Sequence, residues 1–336
     1  MAETAAPPPT AVDPWGSLRQ LVGAVLGPLP GIPAPPLLDD EAADPGLFGP
    51  GSATWTVARE PCLLLGGGRA LLMQVAHPLV AQAVVDHSDY AVDPFGRLAR
   101  TVRWLVAVTF GTTAEARQAS AAVSAVHRHV RGRLAAENAA PGLPRGTGYD
   151  AADPELGRWV HATIVQSMLV THDALVGGLP AITRDALVRE WDAVARLLGM
   201  RDGAGFRDAA GLDDFVARTA ATLGAPSPAT RTAGAVVLHP PLPSPVLRPP
   251  FALVGHLTVG LLPAPLRASF GVDWSPRRDR LHVRAHATTR ALQRGLPRRL
   301  RVSPLHDAAL GRAHGLGLPA DRDDLREARR LARSLE

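Results

Sequence analysis

The sequence predicts an all-α fold, and three observations support that prediction. Hydrophobic residues make up 46% of the chain but aromatic residues only 4%, so the core must consist mainly of Ala, Leu and Val. Helices accept that composition, whereas β-sandwiches need β-branched and aromatic residues. Apolar positions recur at helical spacing, strand-like alternation is nearly absent, and helix-start signals are frequent.

The helix starts are marked by capping residues. Asp93 and Asp153 each precede a proline, which offers an N-cap followed by proline in the first helical turn. Thr112 and Glu115 have the spacing of a capping box. Thr183 precedes another amphipathic run and is a further candidate N-cap.

The composition divides the chain into segments of one domain. Residues 1–50 are rich in Pro, Ala and Gly, which predicts a flexible or loosely packed arm. Residues 51–300 form the predicted helical domain, with an irregular Pro-rich insertion at 224–250, and residues 301–336 form a helical tail. The start shows no basic segment followed by an apolar core, so we expect no secretory signal and a cytoplasmic location. The longest apolar run is broken by His256 and two prolines, which predicts no transmembrane segment.

Charge and cysteine content exclude several classes of function. The net charge is +5, and every basic residue is Arg, whose planar guanidinium suits anionic groups. The arginines are dispersed without interleaved aromatic residues, so we expect no nucleic-acid partner. The single Cys62 excludes an internal disulfide, a Cys-rich zinc site and covalently attached haem. Sequence motifs of zinc hydrolases, α/β-hydrolases and nucleotide-binding folds are absent.

The helix predicted from Thr113 to about Leu134 contains two histidines, of which one lies on its apolar stripe. His127 shares that stripe, whereas His129 is rotated by about 200° and faces outward. The stripe consists of Ala119, Val123, Val126 and Val130. An inward imidazole is either a core histidine with two hydrogen-bond partners or an axial ligand to a metal or haem iron.

The preceding helix places polar residues beside a buried face. Arg97 and Thr101 lie on one line with Trp104 and Val108, and Arg100 lies on the same turn as Arg97. The two arginines could simply extend to solvent. A pocket with an arginine, a threonine and an inward histidine also suits haem b, whose propionates bind arginine and whose iron binds imidazole.

Two further histidines are candidates for the same pocket. Pro78 lies inside an apolar run that we expect to be central, and it leaves the carbonyl of Gln74 without a helical donor, which predicts a kink at His77. His77 could line a distal pocket or bond the freed carbonyl. His161 shares a face with Gly157, Ile164, Val165 and Met168, and it could hydrogen-bond residues around the pocket.

Three stretches together resemble the MpaB-type oxygenase family, which includes the latex-clearing proteins. They are "GGGRALLMQVAHPLVAQAVVDHSDYAVDPFGRLARTVRWLVAVTFG", "VHRHVRG" followed by "GYDAADPELGRWVHATIVQS", and "GLLPAPLRASFGVDWSPRRDR". The resemblance implies an all-helical domain with a globin-like core that holds one non-covalent haem b. It makes His127 the proximal iron ligand, with Arg131 four residues later, and it places Arg97 and Thr101 in the pocket.

The chain departs from the rubber-cleaving branch at several positions of that pattern. Arg100 stands where the branch has lysine, and Ser124 stands where it has arginine. The rubber-cleaving branch has an acidic residue as its presumed base, and counting back without gaps places Ala81 at that position. Asp86 or Asp89 would take the position only if the register of the comparison were shifted. These departures are compatible with the haem site and argue against cleavage of polyisoprene.

The sequence therefore predicts a haem b-dependent oxygenase that acts with O₂ on a small apolar, isoprenoid-like organic substrate. The predicted catalytic residues are Arg97, Arg100, Thr101 and His77; the predicted cofactor-binding residues are His127, Arg131, Arg97 and His161, with His127 on the iron. Two alternatives are a haem-binding sensor or carrier without catalysis and a cofactor-free helical interaction protein. The sequence gives no expectation for the oligomeric state.

Overall fold

The computed structural model describes residues 13–26, 43–201 and 205–318, and it confirms an all-α single domain. The helices are α1 (Pro14–Leu26), α2 (Ala53–Ala58), α3 (Leu65–Ala76), α4 (Pro78–His87), α5 (Pro94–Phe110), α6 (Thr113–His127), α7 (Pro154–Leu175), α8 (Ala181–Glu190), α9 (Asp192–Leu197), α10 (Ala209–Thr222), α11 (Pro228–Leu238), α12 (Arg248–Gly260), α13 (Ala264–Ser269), α14 (Pro276–Gly295), α15 (Arg298–Arg301) and α16 (Pro304–Gly315). Two short strands, β1 (Arg131–Arg133) and β2 (Gly148–Asp150), pair antiparallel. A globin-like arrangement of the core stays a prediction.

Helices α3 and α7 form the centre of the core. They approach closely because α3 carries glycines: a Cβ on Gly66 would lie 2.3 Å from Oγ1 of Thr171. Helix α3 also packs against α11 and α12. Three tryptophans, Trp55, Trp159 and Trp191, are among the largest fully buried side chains. Burial of such large apolar surfaces is the main term that stabilises the fold.

A buried arginine ties α3 to its neighbours. Arg69 donates hydrogen bonds to Oε1 of Gln166 at 2.7 Å and to Oγ of Ser167 at 2.7 Å, both on α7. Its Nε donates to the carbonyl of Leu261, just after α12, at 2.8 Å. Gln166 in turn donates to Asp213 of α10 at 2.8 Å. A desolvated guanidinium needs such partners, since burial without them is costly.

The kink predicted at His77 is confirmed, and it separates two helices. The axes of Pro61–Ala76 and Pro78–His87 meet at 104°. The carbonyl of Gln74 accepts hydrogen bonds from the backbone N–H of His77 at 3.2 Å and from the indole N–H of Trp159 at 3.4 Å. Pro78 thus ends one helix and begins the next, as a residue without an N–H can do at a first helical position.

Three of the four predicted helix starts are confirmed. Asp93 caps α5 and Asp153 caps α7, each followed by proline, and Thr112 with Glu115 forms a complete capping box at α6. The prediction for Thr183 is wrong, because α8 already begins at Ala181, directly after a proline.

The helix predicted to reach Leu134 ends earlier, at His127. Beyond it the chain forms β1, in which Arg131 pairs with Asp150 and Gly132 pairs with Tyr149. Glycine disfavours helix, and here it also makes room for the phenol, because a Cβ on Gly132 would lie 2.3 Å from the Tyr149 hydroxyl. The local pattern of valines is overridden by this strand pairing.

Two segments predicted to be irregular contain helices. Within the predicted arm, Pro14–Leu26 is helical and packs against α5; residues 1–12 and 27–42 lie outside the described residues. Within the predicted Pro-rich insertion, Ser227 caps α11, with Pro228 in its first turn, and α11 packs on α3 and α4. Prolines at a first helical position begin a helix instead of breaking it. Of the predicted C-terminal tail, residues 319–336 lie outside the described part.

A search for membrane-spanning segments among the described residues finds no single helix with sufficient length and apolar character. Only the bent pair Pro61–Ala76 and Pro78–His87 reaches the required length and composition together.

Helix α12 packs against α14 through a histidine and aromatic cluster. The imidazole of His256 stacks on Trp274 at 5.2 Å between ring centroids, and the centroids of His282 and His286 are 3.9 Å apart. His282 lies against the end of α12: a Cβ on Gly260 would be 2.0 Å from Nδ1 of His282. The contact requires glycine, because the imidazole is enclosed by the other rings of the cluster.

We expect Gly260→Ala to destabilise the protein by about 1–3 kcal/mol through overpacking at this contact. The matched change on the same helix, Gly255→Ala, places its Cβ no closer than 3.7 Å to the carbonyl of Leu238. It should be neutral or stabilising by up to about 1 kcal/mol, because alanine is the better helix former. Urea unfolding of both variants measures the difference; equal stabilities would contradict the packing argument.

Candidate functional site

An apolar chamber lies between α3, α5, α11 and α12. Its volume is about 150 Å³, and aliphatic and aromatic side chains form most of its wall. Polar side chains that reach it are those of Tyr90, Arg97, Thr101 and Thr258. The structure thus brings together two of the residues predicted for the pocket, Arg97 and Thr101, one helical turn apart on α5.

The guanidinium of Arg97 has no hydrogen-bond or ion-pair partner among the described residues, although the residue is half-buried. Burial lowers the pKa of its guanidinium, and the nearby charge of Arg100 lowers that pKa further. Arg100 itself is exposed and points to carboxylates, 3.8 Å from Asp93 and 4.0 Å from Asp89. The hydroxyl of Thr101 donates to the carbonyl of Arg97 at 3.2 Å. Arg97 is therefore the cation that faces the chamber.

An open groove of about 960 Å³ adjoins the chamber. Four residues line both spaces and form the wall between them: Leu238, Pro240, Phe251 and Gly255. The groove runs between the segment after α11, helix α12 and the loop before α14. Its lining includes Arg248 and Arg278, so its mouth is basic.

The predicted apolar stripe of α6 is inward only in part: Ala119 and Val123 pack against the core, whereas His127 does not face the interior. The residue is the last of α6, its side chain is exposed, and its neighbour Val126 is 64% exposed. The desolvation that remains at the helix end lowers the pKa of His127. The predicted stripe does not hold at the last residues of α6. The helix has partners on one side only, and it ends where the apolar positions would continue.

The position of His127 relative to α5 follows from one hydrogen bond. Nε1 of Trp104 donates to Oγ of Ser120 at 3.2 Å, which fixes the register of the antiparallel pair α5 and α6. Counting along both helices from this contact brings His127 level with Arg97. His127 is nevertheless absent from the lining of the chamber.

Arg131, predicted to bind the cofactor, has a structural partner. Its Nε lies 2.9 Å from Oδ2 of Asp150, its partner across β1 and β2, and its side chain is exposed. His129 faces outward as predicted, with Nδ1 3.0 Å from the carbonyl of Ala125. The cross-strand pair holds the hairpin that follows α6 and leaves Arg131 away from the chamber.

His77 and His161 both lie outside the chamber lining. His161 is 4% exposed, as its predicted inward position requires, and its ring packs 6.1 Å from that of Trp191. Nε2 of His161 is buried without a hydrogen-bond partner among the described residues, and so is Nδ1 of His77. Neither histidine therefore joins Arg97 in the chamber wall.

Asp86 holds the hairpin to α4. It accepts a hydrogen bond from Gln82 at 2.9 Å and from the hydroxyl of Tyr149 at 2.5 Å. Nε2 of His87 lies 3.1 Å from the same hydroxyl. Ala81, the aligned position of the presumed base, is fully buried. Asp86 is thus engaged in structure, and neither it nor Ala81 lines the chamber.

Sequence reasoning missed the far side of the chamber. Tyr90, Gly255 and Thr258 line it, and α12 begins more than 130 residues after the end of α5 along the chain. The run "FALVGHLTVG" carries a local signal only for an apolar helix. Which of its residues face Arg97 is decided by how α12 crosses α3.

The described residues do not form the haem pocket that the sequence predicts. Pockets for drug-sized ligands have volumes of about 300–1,000 Å³, and the chamber beside Arg97 is too small for a porphyrin. The larger groove is lined by neither His127 nor Arg97. Within the described ranges, no group of three or more His, Cys, Asp or Glu side chains is placed to hold a metal ion.

Buried histidines make stability depend on pH. Burial lowers the pKa of His77, His161 and His282 to about 4, from an ordinary value of 6.5. The folded protein therefore favours neutral rings, whereas the unfolded chain takes up protons below about pH 6.5. We expect the free energy of unfolding to fall as pH falls from 7 towards 4.

Replacing His161 by leucine should remove roughly 1–2 kcal/mol of the stability difference between pH 7 and pH 5. Urea unfolding at both pH values measures it. The matched control is His314→Leu, at an exposed position, which should keep the parent's pH dependence. An unchanged dependence in His161→Leu would contradict the burial argument.

Comparison with known proteins shows the family of this chain. Two mycobacterial proteins, the uncharacterised Mb2261 of Mycobacterium bovis and Rv2237 of Mycobacterium tuberculosis, are each 27% identical over 235 residues, covering 68% of this chain and 88% of their own length. No solved structure matches the chain significantly. The family model for the ER-bound oxygenase mpaB/B'/rubber oxygenase catalytic domain matches residues 54–293, which include every wall of the chamber. The chain therefore belongs to the mpaB/rubber oxygenase family of oxygenases.

Proposed function

We propose that this protein is an oxygenase that oxidises a small apolar organic molecule with O₂, and that the reacting part of the substrate lies in the chamber beside Arg97 and Thr101. The observation that supports this location is an apolar chamber with an unpaired guanidinium in its wall, built inside the segment that matches the oxygenase family. Ligand sites in proteins commonly combine an apolar wall with a few polar groups.

The side chains of the chamber suit binding and orientation. The aliphatic wall excludes water, which favours an apolar ligand and protects a reactive intermediate. The hydroxyls of Tyr90, Thr101 and Thr258 can hydrogen-bond a polar atom of the ligand, and Arg97 can stabilise negative charge. These contributions belong to the chain; O₂ chemistry itself needs a cofactor.

Haem b is the cofactor that we propose to test first. It is supported by membership in a family that includes rubber oxygenase, and by His127, which is level with Arg97 by helical count and whose exposed side chain makes no hydrogen bond to the described residues. Because the chamber is too small for a porphyrin, haem binding would require space beside the chamber at the end of α6. We derive no catalytic step through it. The isoprenoid character of the substrate is likewise a proposal, supported by the aliphatic wall.

Filling the chamber should abolish oxygenation. Val254 lines the chamber, whereas its neighbour Leu253 on the same helix is 55% exposed. We expect Val254→Phe to lower O₂ uptake with a set of terpenoids at least about tenfold, because the added ring occupies the space of the substrate. Leu253→Phe, the matched control, should stay within about twofold of the parent. Uptake by the parent is checked by mass spectrometry for oxygen in the product.

Equal activity of Val254→Phe and Leu253→Phe would place the reaction elsewhere. No uptake by the parent with any terpenoid or lipid, with or without added haem, would contradict the proposed function.

The cofactor test is a pyridine haemochrome assay on protein expressed with haem supplied. We expect haem b in the parent and its loss in His127→Ala, while His129→Ala, two residues away and outward-facing, keeps it. Bound haem without O₂ uptake would indicate the sensor or carrier alternative. If the parent contains no haem, two alternatives remain: an oxygenase that works without haem and a cofactor-free interaction protein. O₂ uptake is expected for the first and not for the second.

A further inference from the structure

The charge balance inside the chamber is incomplete. Two other arginines of the interior have partners for their guanidinium groups: Arg69 has three acceptors, and Arg298 makes two hydrogen bonds to Asp307. Arg97 has none among the described residues, and it lies in a mostly apolar wall. A desolvated cation without an anion is unfavourable, and an anionic group of a ligand would remove that cost.

The number of cations indicates the kind of anion. Arg97 is the one guanidinium in the chamber lining, since Arg100 is directed to Asp93 and Asp89 outside it. A phosphate monoester carries a charge of about −1.5 to −2 and is bound best by several donors. A carboxylate carries one negative charge and matches a single planar guanidinium. The chamber therefore favours a carboxylate.

The two spaces indicate the shape of the ligand. The chamber, at about 150 Å³, holds only a small end group, comparable to cavities that bind benzene. The adjoining groove, at about 960 Å³, can hold a longer chain, and Gly255 lies in the wall between them. A ligand that enters with its charged end first would leave its apolar remainder against Leu238 and Phe251.

We infer that the ligand of this site is an aliphatic or isoprenoid carboxylic acid, whose carboxylate binds Arg97 and lies in the chamber with the few carbons next to it, and whose remaining apolar chain extends past Gly255 into the groove. The reverse orientation would place apolar chain against an unpaired guanidinium. The inference rests on the proposed function only in calling this ligand the substrate; the binding mode stands on the geometry alone.

The test compares an acid with its uncharged counterpart of the same length. Geranic acid and geraniol are titrated into the full chain at pH 7 by isothermal calorimetry. We expect the acid to bind about tenfold more tightly or better, the size of effect that one charge-assisted hydrogen bond gives. Arg97→Leu should remove this preference, and Arg97→Lys should retain part of it. Arg117→Leu, an exposed arginine on α6, should leave it unchanged.

The path through the wall is tested separately. Gly255→Leu should weaken binding of the acid and of the alcohol alike, whereas Leu253→Phe, at an exposed position of the same helix that lines neither space, should keep the parent's affinities. Thermal unfolding by circular dichroism confirms that each variant is folded. Equal affinity for acid and alcohol in the parent, or an acid preference that persists in Arg97→Leu, would overturn the inference.

These outcomes are distinguishable from those of the proposed function. Acid binding that depends on Arg97, without O₂ uptake, supports the binding site and contradicts the oxygenase. O₂ uptake with the alcohol as substrate and no effect of Arg97→Leu on binding supports the oxygenase and overturns the carboxylate site.

Discussion

The hydrogen bonds of Arg69 are the interaction on which the site depends. Its guanidinium lies between α3, α7 and the end of α12, and it reaches Gln166, Ser167 and the carbonyl of Leu261. Helices α3 and α12 both contribute to the wall of the chamber, so this one side chain helps to fix their spacing. Burial lowers the pKa of Arg69 to about 10, yet it stays charged at neutral pH. A buried charge with three acceptors in fixed places allows few alternative packings.

Arg97 has a different role from Arg69. Arg69 is satisfied by the protein and belongs to the framework. The guanidinium of Arg97 lies in a mostly apolar wall and has no anionic partner among the described residues. Buried charges that serve only the fold have partners within the protein. A charged side chain without a partner in a cavity therefore indicates a ligand. Arg100 and Arg131 differ from Arg97 in the same respect, because each of them has an aspartate of the protein as its ion-pair partner.

Local patterns predicted the fold class and many boundaries, because the deciding forces act within a few residues. The caps at Asp93, Thr112 and Asp153 and the break at Pro78 are determined by hydrogen bonds and ring geometry inside one helical turn. The failures occurred where distant segments compete. Strand pairing ended α6 at His127, and packing on α3 and α4 made a helix of the Pro-rich α11.

The sequence by itself determined an all-α chain, the family and the Arg97–Thr101 pair, since composition, caps and motifs are properties of neighbouring residues. Only the tertiary structure decided that this pair faces a closed chamber, that α12 supplies the opposite wall, and that His127 is exposed. Those facts depend on how α3, α5, α6 and α12 cross. Such crossings are selected by close contacts between residues far apart in the chain, as at Gly66 and Gly260, and helical periodicity does not encode them.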